Sequence, residues 1–174
     1  MEFDLKKSEE VLERTPSVLY AMLGGLDETW INNNEGGPSW SPYDVMGHLI
    51  HGERTDWMPR VEIILCELPD KRFVPFDRFA QLRNNRQNTL SQLLAEFALL
   101  RTDGLNTLRS KKIGVKDLAK KGIHPEFGEI TLAELLAAWT VHDLGHIAQI
   151  ARVMAKQYTQ AVGPWTQYLT ILSK

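Results

Sequence analysis

Residues 131–158 read "TLAELLAAWTVHDLGHIAQIARVMAKQY". Thr131 with Glu134 three residues later has the form of a capping box, which satisfies free N–H groups at a helix N-terminus. From there Leu132, Leu135, Trp139, His142, His146, Ile150 and Val153 follow three or four residues apart, one face of a long helix. Two successive positions on that seam are histidine, where an apolar residue should continue it. Side chains at i and i+4 share a face with Cβ atoms roughly 5–6 Å apart, so two imidazoles there can bind one metal ion. In a dry interior without an ion, both nitrogens of each ring would need hydrogen-bond partners. A metal centre and a pair of hydrogen-bonded core histidines are therefore the two readings of this stretch.

Three further segments carry helical periodicity, and none carries convincing strand alternation. The first spans about Asp4 to Leu26, interrupted where Thr15 can cap and Pro16 suits a first turn, and it ends at Gly24 and Gly25. The second opens at "WSPYDVMGHLIHGERTDW", with Ser41 as N-cap, Pro42 at the first helical position and Asp44 at the third. It runs to about Leu68, and Pro59 inside it predicts a kink or restart. The third spans about Asp77 to Leu108, with an apolar stripe through Phe79, Leu82, Leu90, Leu93, Phe97 and Leu100. A Lys- and Gly-rich loop over about 110–129 precedes the long fourth helix, and "WTQYLTIL" reads as a short C-terminal helix. Four long antiparallel helices make an all-α four-helix bundle the economical fold, as a single domain over residues 1–174.

Two histidines rarely hold a metal alone, so a third ligand is sought elsewhere. His48, among Val45, Leu49 and Gly52 on the core face of the second helix, is the first candidate, and His124 in the loop before the fourth helix is the second. His51 falls on a flank, as an acid or base behind the ligands. Asp143 gives "HDLGH" a likeness to the protease signature H-E-x-x-H. Aspartate is one methylene shorter, and the residue points off the seam by about 100° of helix turn, so it reads as an interhelical or surface carboxylate. Asp44, four residues before His48, could orient that ring or simply favour the helix N-terminus. Glu53 and Asp56 follow within two turns of His48 and are not assigned as bases. Arg86 on the apolar stripe could hold an anionic substrate group or be an ion-paired arginine. Trp139 reads as core, and Trp40 and Tyr43 as a staple around the N-cap or the rim of a pocket.

Composition sets outer limits. The formal net charge of −2 gives no electrostatic reason to expect a nucleic-acid partner or an anionic membrane. The basic residues Arg109, Lys111, Lys112, Lys116, Lys120 and Lys121 lack interleaved aromatics and read as a solvated loop. Cys66 is the single cysteine, which excludes an intramolecular disulfide and suits a reducing cytoplasm. The charged start "MEFDLKKSEE" has no signal-peptide core, and no apolar run approaches the roughly 20 residues of a membrane span.

Four pieces of the chain together resemble the DinB-like superfamily of bacterial helical-bundle proteins, and within it the YfiT-like branch classed as metal-dependent hydrolases. They are "LERTPSVLYAML", "WSPYDVMGHLIHGER", "LAAWTVHDLGHIAQIARVM" and "VGPWTQYLTIL", in the family's order over nearly the whole chain. The resemblance implies a bundle of family-specific connectivity with one divalent ion, nickel, zinc, iron or manganese, held by His48, His142 and His146. It also implies a homodimer, and either hydrolysis or transfer of a low-molecular-weight thiol such as bacillithiol or mycothiol to a small substrate. A metal-binding or stress-associated bundle without catalytic turnover is the alternative.

Overall fold

A computed structural model describes residues 2–84 and 87–173. Helix α1 (Leu5–Leu12) and α2 (Thr15–Leu23) form the first arm of a bundle. The short α3 (Glu28–Asn32) follows, and α4 (Pro42–Thr55) with α5 (Trp57–Leu65) form the second arm. Helix α6 (Gln81–Asn84) precedes the third arm, α7 (Leu90–Ser110), while α8 (Val115–Leu118) and strands β1 (Lys121–His124) and β2 (Gly128–Thr131) lead into α9 (Leu132–Lys156).

The expected capping signals act in two arms, whereas Thr15 lies inside α2, whose N-cap Arg14 makes no side-chain cap bond. Ser41 and Asp44 form a complete capping box on α4, as do Thr131 and Glu134 on α9. Thr89 and Gln92 form a third, which starts α7 afresh, so the third helix expected from Asp77 divides into α6 and α7. In the second arm the break falls at Asp56, where φ is −118° and ψ −68°. Pro59 lies three residues on and has no N–H to offer the Thr55 carbonyl, so the helix parts one turn ahead of the proline.

Two apolar clusters occupy the two ends of the bundle. One gathers Leu12, Trp57, Val61, Leu105, Leu108, Leu132, Leu136 and Trp139. The other gathers Leu19, Leu23, Val45, Leu49, Leu93, Phe97 and Ile150. The first arm and α9 pass from the first cluster to the second, and the second arm and α7 pass the opposite way. The second and third arms are thus parallel, where a simple antiparallel order was expected. Residues 66–89 must return from one end of the bundle to the other, and Pro75, Phe76 and Arg78 of this return line a cavity on its side.

The expected loop before α9 contains a hairpin. Strands β1 and β2 pair antiparallel with His124 opposite Gly128, and Gly128 takes a φ of +73°, which closes a three-residue turn. The strands have four residues each, too few to show alternation, and their register is held from outside. Ile123 donates to the Lys71 carbonyl at 2.8 Å and accepts from Phe73 N–H at 2.9 Å. The expected C-terminal helix is replaced by two 3-10 turns, Gly163–Gln167 and Thr170–Leu172. Trp165 and Tyr168 there are exposed, so their burial does not offset the weak helix propensity of aromatic and β-branched residues.

Candidate metal centre

Helix α4 presents His48 and α9 presents His142 and His146 to one point. Their ligand-capable nitrogens all lie within 4.8 Å of one another. His142 Nε2 stands 3.1 Å from His48 Nε2 and 3.0 Å from His146 Nε2. A ring nitrogen carries one hydrogen or one lone pair, so His142 Nε2 can satisfy only one of these neighbours by hydrogen bonding. A cation accepting all three lone pairs satisfies the set. With metal–nitrogen bonds of about 2.0–2.1 Å, ligand nitrogens stand roughly 2.9–3.4 Å apart, as the two close pairs do.

The protonation state also fits a ligand set. Burial, reinforced by His146, His142, His51 and Arg78, lowers the His48 pKa to about 3. Burial and His142 lower that of His146 to about 4, against the opposing effects of Gln149 and Asp143. Both rings are neutral at pH 7, as metal ligation requires. His146 Nδ1–H donates to Gln149 Oε1 at 2.8 Å, which directs its Nε2 lone pair at the cluster. Among the described residues, Nδ1 of His48 and Nδ1 of His142 are buried without a hydrogen-bond partner.

Asp44 does not orient His48. Its carboxylate accepts from Ser41 N–H at 3.0 Å and Ser41 Oγ–H at 2.8 Å, which engages it in the helix cap. His124 and His51 stay outside the cluster. His124 Nδ1 accepts the N–H groups of Glu126 and Phe127, and its ring stacks on Phe127 at 4.4 Å. His51 rests on Phe76 with ring centroids 5.0 Å apart. Cys66 caps α5 and its thiol donates to the Ile63 carbonyl, away from the cavity wall. Tyr43 donates to the Asn88 carbonyl at 2.6 Å, so it ties α4 to the start of α7. Arg86 lies outside the described residues.

Behind the histidines is a buried charged layer that sequence reasoning did not assemble. Arg101 on α7 is 1% exposed and uses all its guanidinium N–H groups. Nε and Nη2 donate to Glu53 at 3.2 and 2.8 Å, Nη1 and Nη2 donate to Asp143 at 2.6 and 3.1 Å, and Nη1 donates to the Leu12 carbonyl at 2.8 Å. Trp139 Nε1–H adds a bond to Glu53 at 3.1 Å. Burial would raise the Asp143 pKa, but contacts with His142, Arg101 and Thr15 outweigh it and hold the group ionised. Burial and the Asp143 charge push Glu53 up, against Arg101 and Trp139. Asp143 is therefore an interhelical anchor with no exposure, not the base of a protease motif. The available signal was Arg101 itself, four residues after Phe97 and four before Leu105 on the apolar stripe.

The histidines open on a cavity of about 600 Å³. Trp40, Trp57, Phe76 and Phe127 supply apolar wall, and Asp56, Arg60, Arg78 and Glu126 supply charge. Trp40 packs on His48 at 4.7 Å between ring centroids, and Trp57 meets His142 edge-on at 5.1 Å. Asp56 and Arg60 pair at 2.7 Å on the wall, where burial raises the Asp56 pKa against the pull of Arg60 and His142.

The DinB superfamily profile matches residues 11–150. Among solved structures, YfiT from Bacillus subtilis is similar at a TM-score of 0.73 and 20% identity, over 88% of this chain and 86% of that one. It is described as "a probable metal-dependent hydrolase with an unusual four-helix bundle topology". No curated protein matches the sequence. The profile match takes in the whole second arm, α7 and α9 as far as Ile150, and with them every histidine of the cluster, so this chain belongs to the DinB superfamily.

Proposed function

We propose that this protein is a metal-dependent enzyme acting on a small substrate, with a divalent ion held by Nε2 of His48, His142 and His146. The observation that carries this reading is the convergence of three ring nitrogens, on two helices, at the floor of an aromatic-walled cavity. Such an ion supplies Lewis-acid activation of a water or a thiol, which suits hydrolysis or thiol transfer respectively. The chain's own residues hold the ion, flank it with Trp40 and Trp57, and open the cluster to the cavity for substrate. Nickel, zinc, iron and manganese all accept an imidazole set, and the three rings do not choose among them. A cytoplasmic homodimer is the setting proposed with this activity, since the single cysteine needs no oxidising compartment.

Elemental analysis of protein purified without an affinity tag, followed by metal titration, tests the site. Near-stoichiometric content or uptake is expected, and neither appearing would sink the proposal. In His146→Ala, affinity should fall by more than the roughly 10–100-fold that loss of an outer partner costs. Unchanged affinity would remove His146 from the ligand set. Turnover is tested by offering metallated protein esters and amides, and bacillithiol or glutathione with an electrophile. Rates no better than those of His142→Ala would favour the second reading, a metal-binding bundle without turnover, which the same nitrogen geometry also permits.

A further inference from the structure

Among the described residues, the cavity wall holds one cation that the fold does not use. Every other arginine among the described residues has a partner: Arg54 with Glu96, Arg60 with Asp56, Arg72 with Asp70, Arg83 with Asp77, Arg101 with Glu53 and Asp143, Arg109 with Glu9, and Arg152 with Glu35. Arg14 donates to the Glu10 carbonyl. Among the described residues, Arg78 has neither a carboxylate nor a carbonyl as partner. Its chain neighbour Asp77 is turned away, accepting from Arg83 and from Phe79 N–H. The Arg78 guanidinium instead lies over two rings, 6.0 Å from the Trp40 centroid and 5.5 Å from that of Phe79. These two rings stand perpendicular to each other, and among the described residues the guanidinium N–H groups meet no protein acceptor.

Position gives that fork a meaning. Trp40 neighbours both Arg78 and the histidines, with its ring 4.7 Å from His48 and stacked 6.4 Å from His146. Arg78 thus lines the same cavity as the candidate reacting centre. The other guanidinium of the wall, Arg60, is neutralised by Asp56. A small molecule lying along Trp40 and Phe76 would place one end at the histidines and the other at the free fork.

We infer that the cavity selects a small substrate with an apolar or aromatic body and a carboxylate at the end remote from the reacting bond, which Arg78 binds as a specificity-determining residue. This rests on the histidine cluster being the reacting centre, but it is testable without a metal. Phenylacetate and its uncharged counterpart phenylacetamide are titrated against the full metal-free chain by ligand-observed NMR at low salt. Wild-type protein should bind the acid at least about tenfold more tightly than the amide, the size of a charged hydrogen bond. Arg78→Gln should lose that preference, and Arg78→Lys should keep part of it, because a point charge replaces the fork. Equal binding of acid and amide, no binding of the acid, or a preference that survives in Arg78→Gln would overturn the inference. Zinc titration of wild type and Arg78→Gln separates the two proposals. Failure of both to take up zinc removes the metal reading while the acid–amide comparison still judges Arg78. Loss of uptake in the variant alone would reassign Arg78 to the histidine cluster and overturn its substrate role.

Discussion

At the scale of single residues, Arg101 governs the interior of this protein. One guanidinium bridges carboxylates from two other helices and a carbonyl from a third, with nothing left to water. Buried ion pairs add little net stability over an apolar core, but removing one partner strands a desolvated charge. Arg101→Met should therefore cost about 3–5 kcal/mol, measured by urea denaturation. A loss below about 1 kcal/mol, the range of exposed pairs, would contradict this account of the layer. Asp143 shows the limit of residue-by-residue reading. Its neighbours in sequence suggested a catalytic motif, and its spacing off the seam suggested a carboxylate between helices. The second was correct, but its partner Arg101 is 42 positions away and no local pattern pairs them.

At the scale of elements, the start signals of two arms were legible and chain direction was not. Capping boxes are local: Ser41 with Asp44 and Thr131 with Glu134 act through contacts three residues apart, so the sequence displays them. The hairpin is not local. Gly122 of β1 is packed so closely that a Cβ there would meet the Phe73 ring at 2.5 Å and Ile64 at 2.9 Å. Phe73 belongs to the returning segment and Ile64 to α5, so this glycine lets three segments meet. Gly122→Ala should cost about 1–3 kcal/mol through forced repacking, read as a lowered thermal midpoint. A midpoint equal to that of wild type would mean the hairpin is not clamped against the bundle. The third arm was misread for a related reason. Phe79 suits an apolar stripe but is half exposed beside Arg78, while Thr89 and Gln92 restart the helix ten residues later.

At the scale of the whole molecule, the site and the stability are linked through protons. Folded His48 and His146 take protons only near pH 3 and 4, whereas the same side chains in an unfolded chain titrate near 6.5. Between those values the unfolded chain binds more protons, so metal-free protein should lose stability as pH falls from about 6.5 towards 4, by up to about 1.4 kcal/mol per pH unit for each histidine. Denaturant midpoints at pH 7, 6 and 5 check this, and midpoints that rise on acidification would refute it. His48→Gln should flatten the slope, since glutamine takes no proton. Protons compete with an ion for the folded nitrogens only near those low pKa values, so added metal should stabilise the fold through most of that window and lose its effect as pH nears 4.

Periodicity, capping residues and the two histidines on the α9 seam were determined by the sequence, because each depends on contacts within one or two turns of one helix. His48 could be named as a candidate from its place on a core face, but whether its Nε2 reaches the same point as those of His142 and His146 depended on how α4 crosses α9. The parallel course of the second and third arms, the return segment that brings Phe76 and Arg78 over the site, and the Arg101 layer were decided only by the tertiary structure. These features join residues dozens of positions apart, and a helix seam records what must be buried without recording which seam it will face.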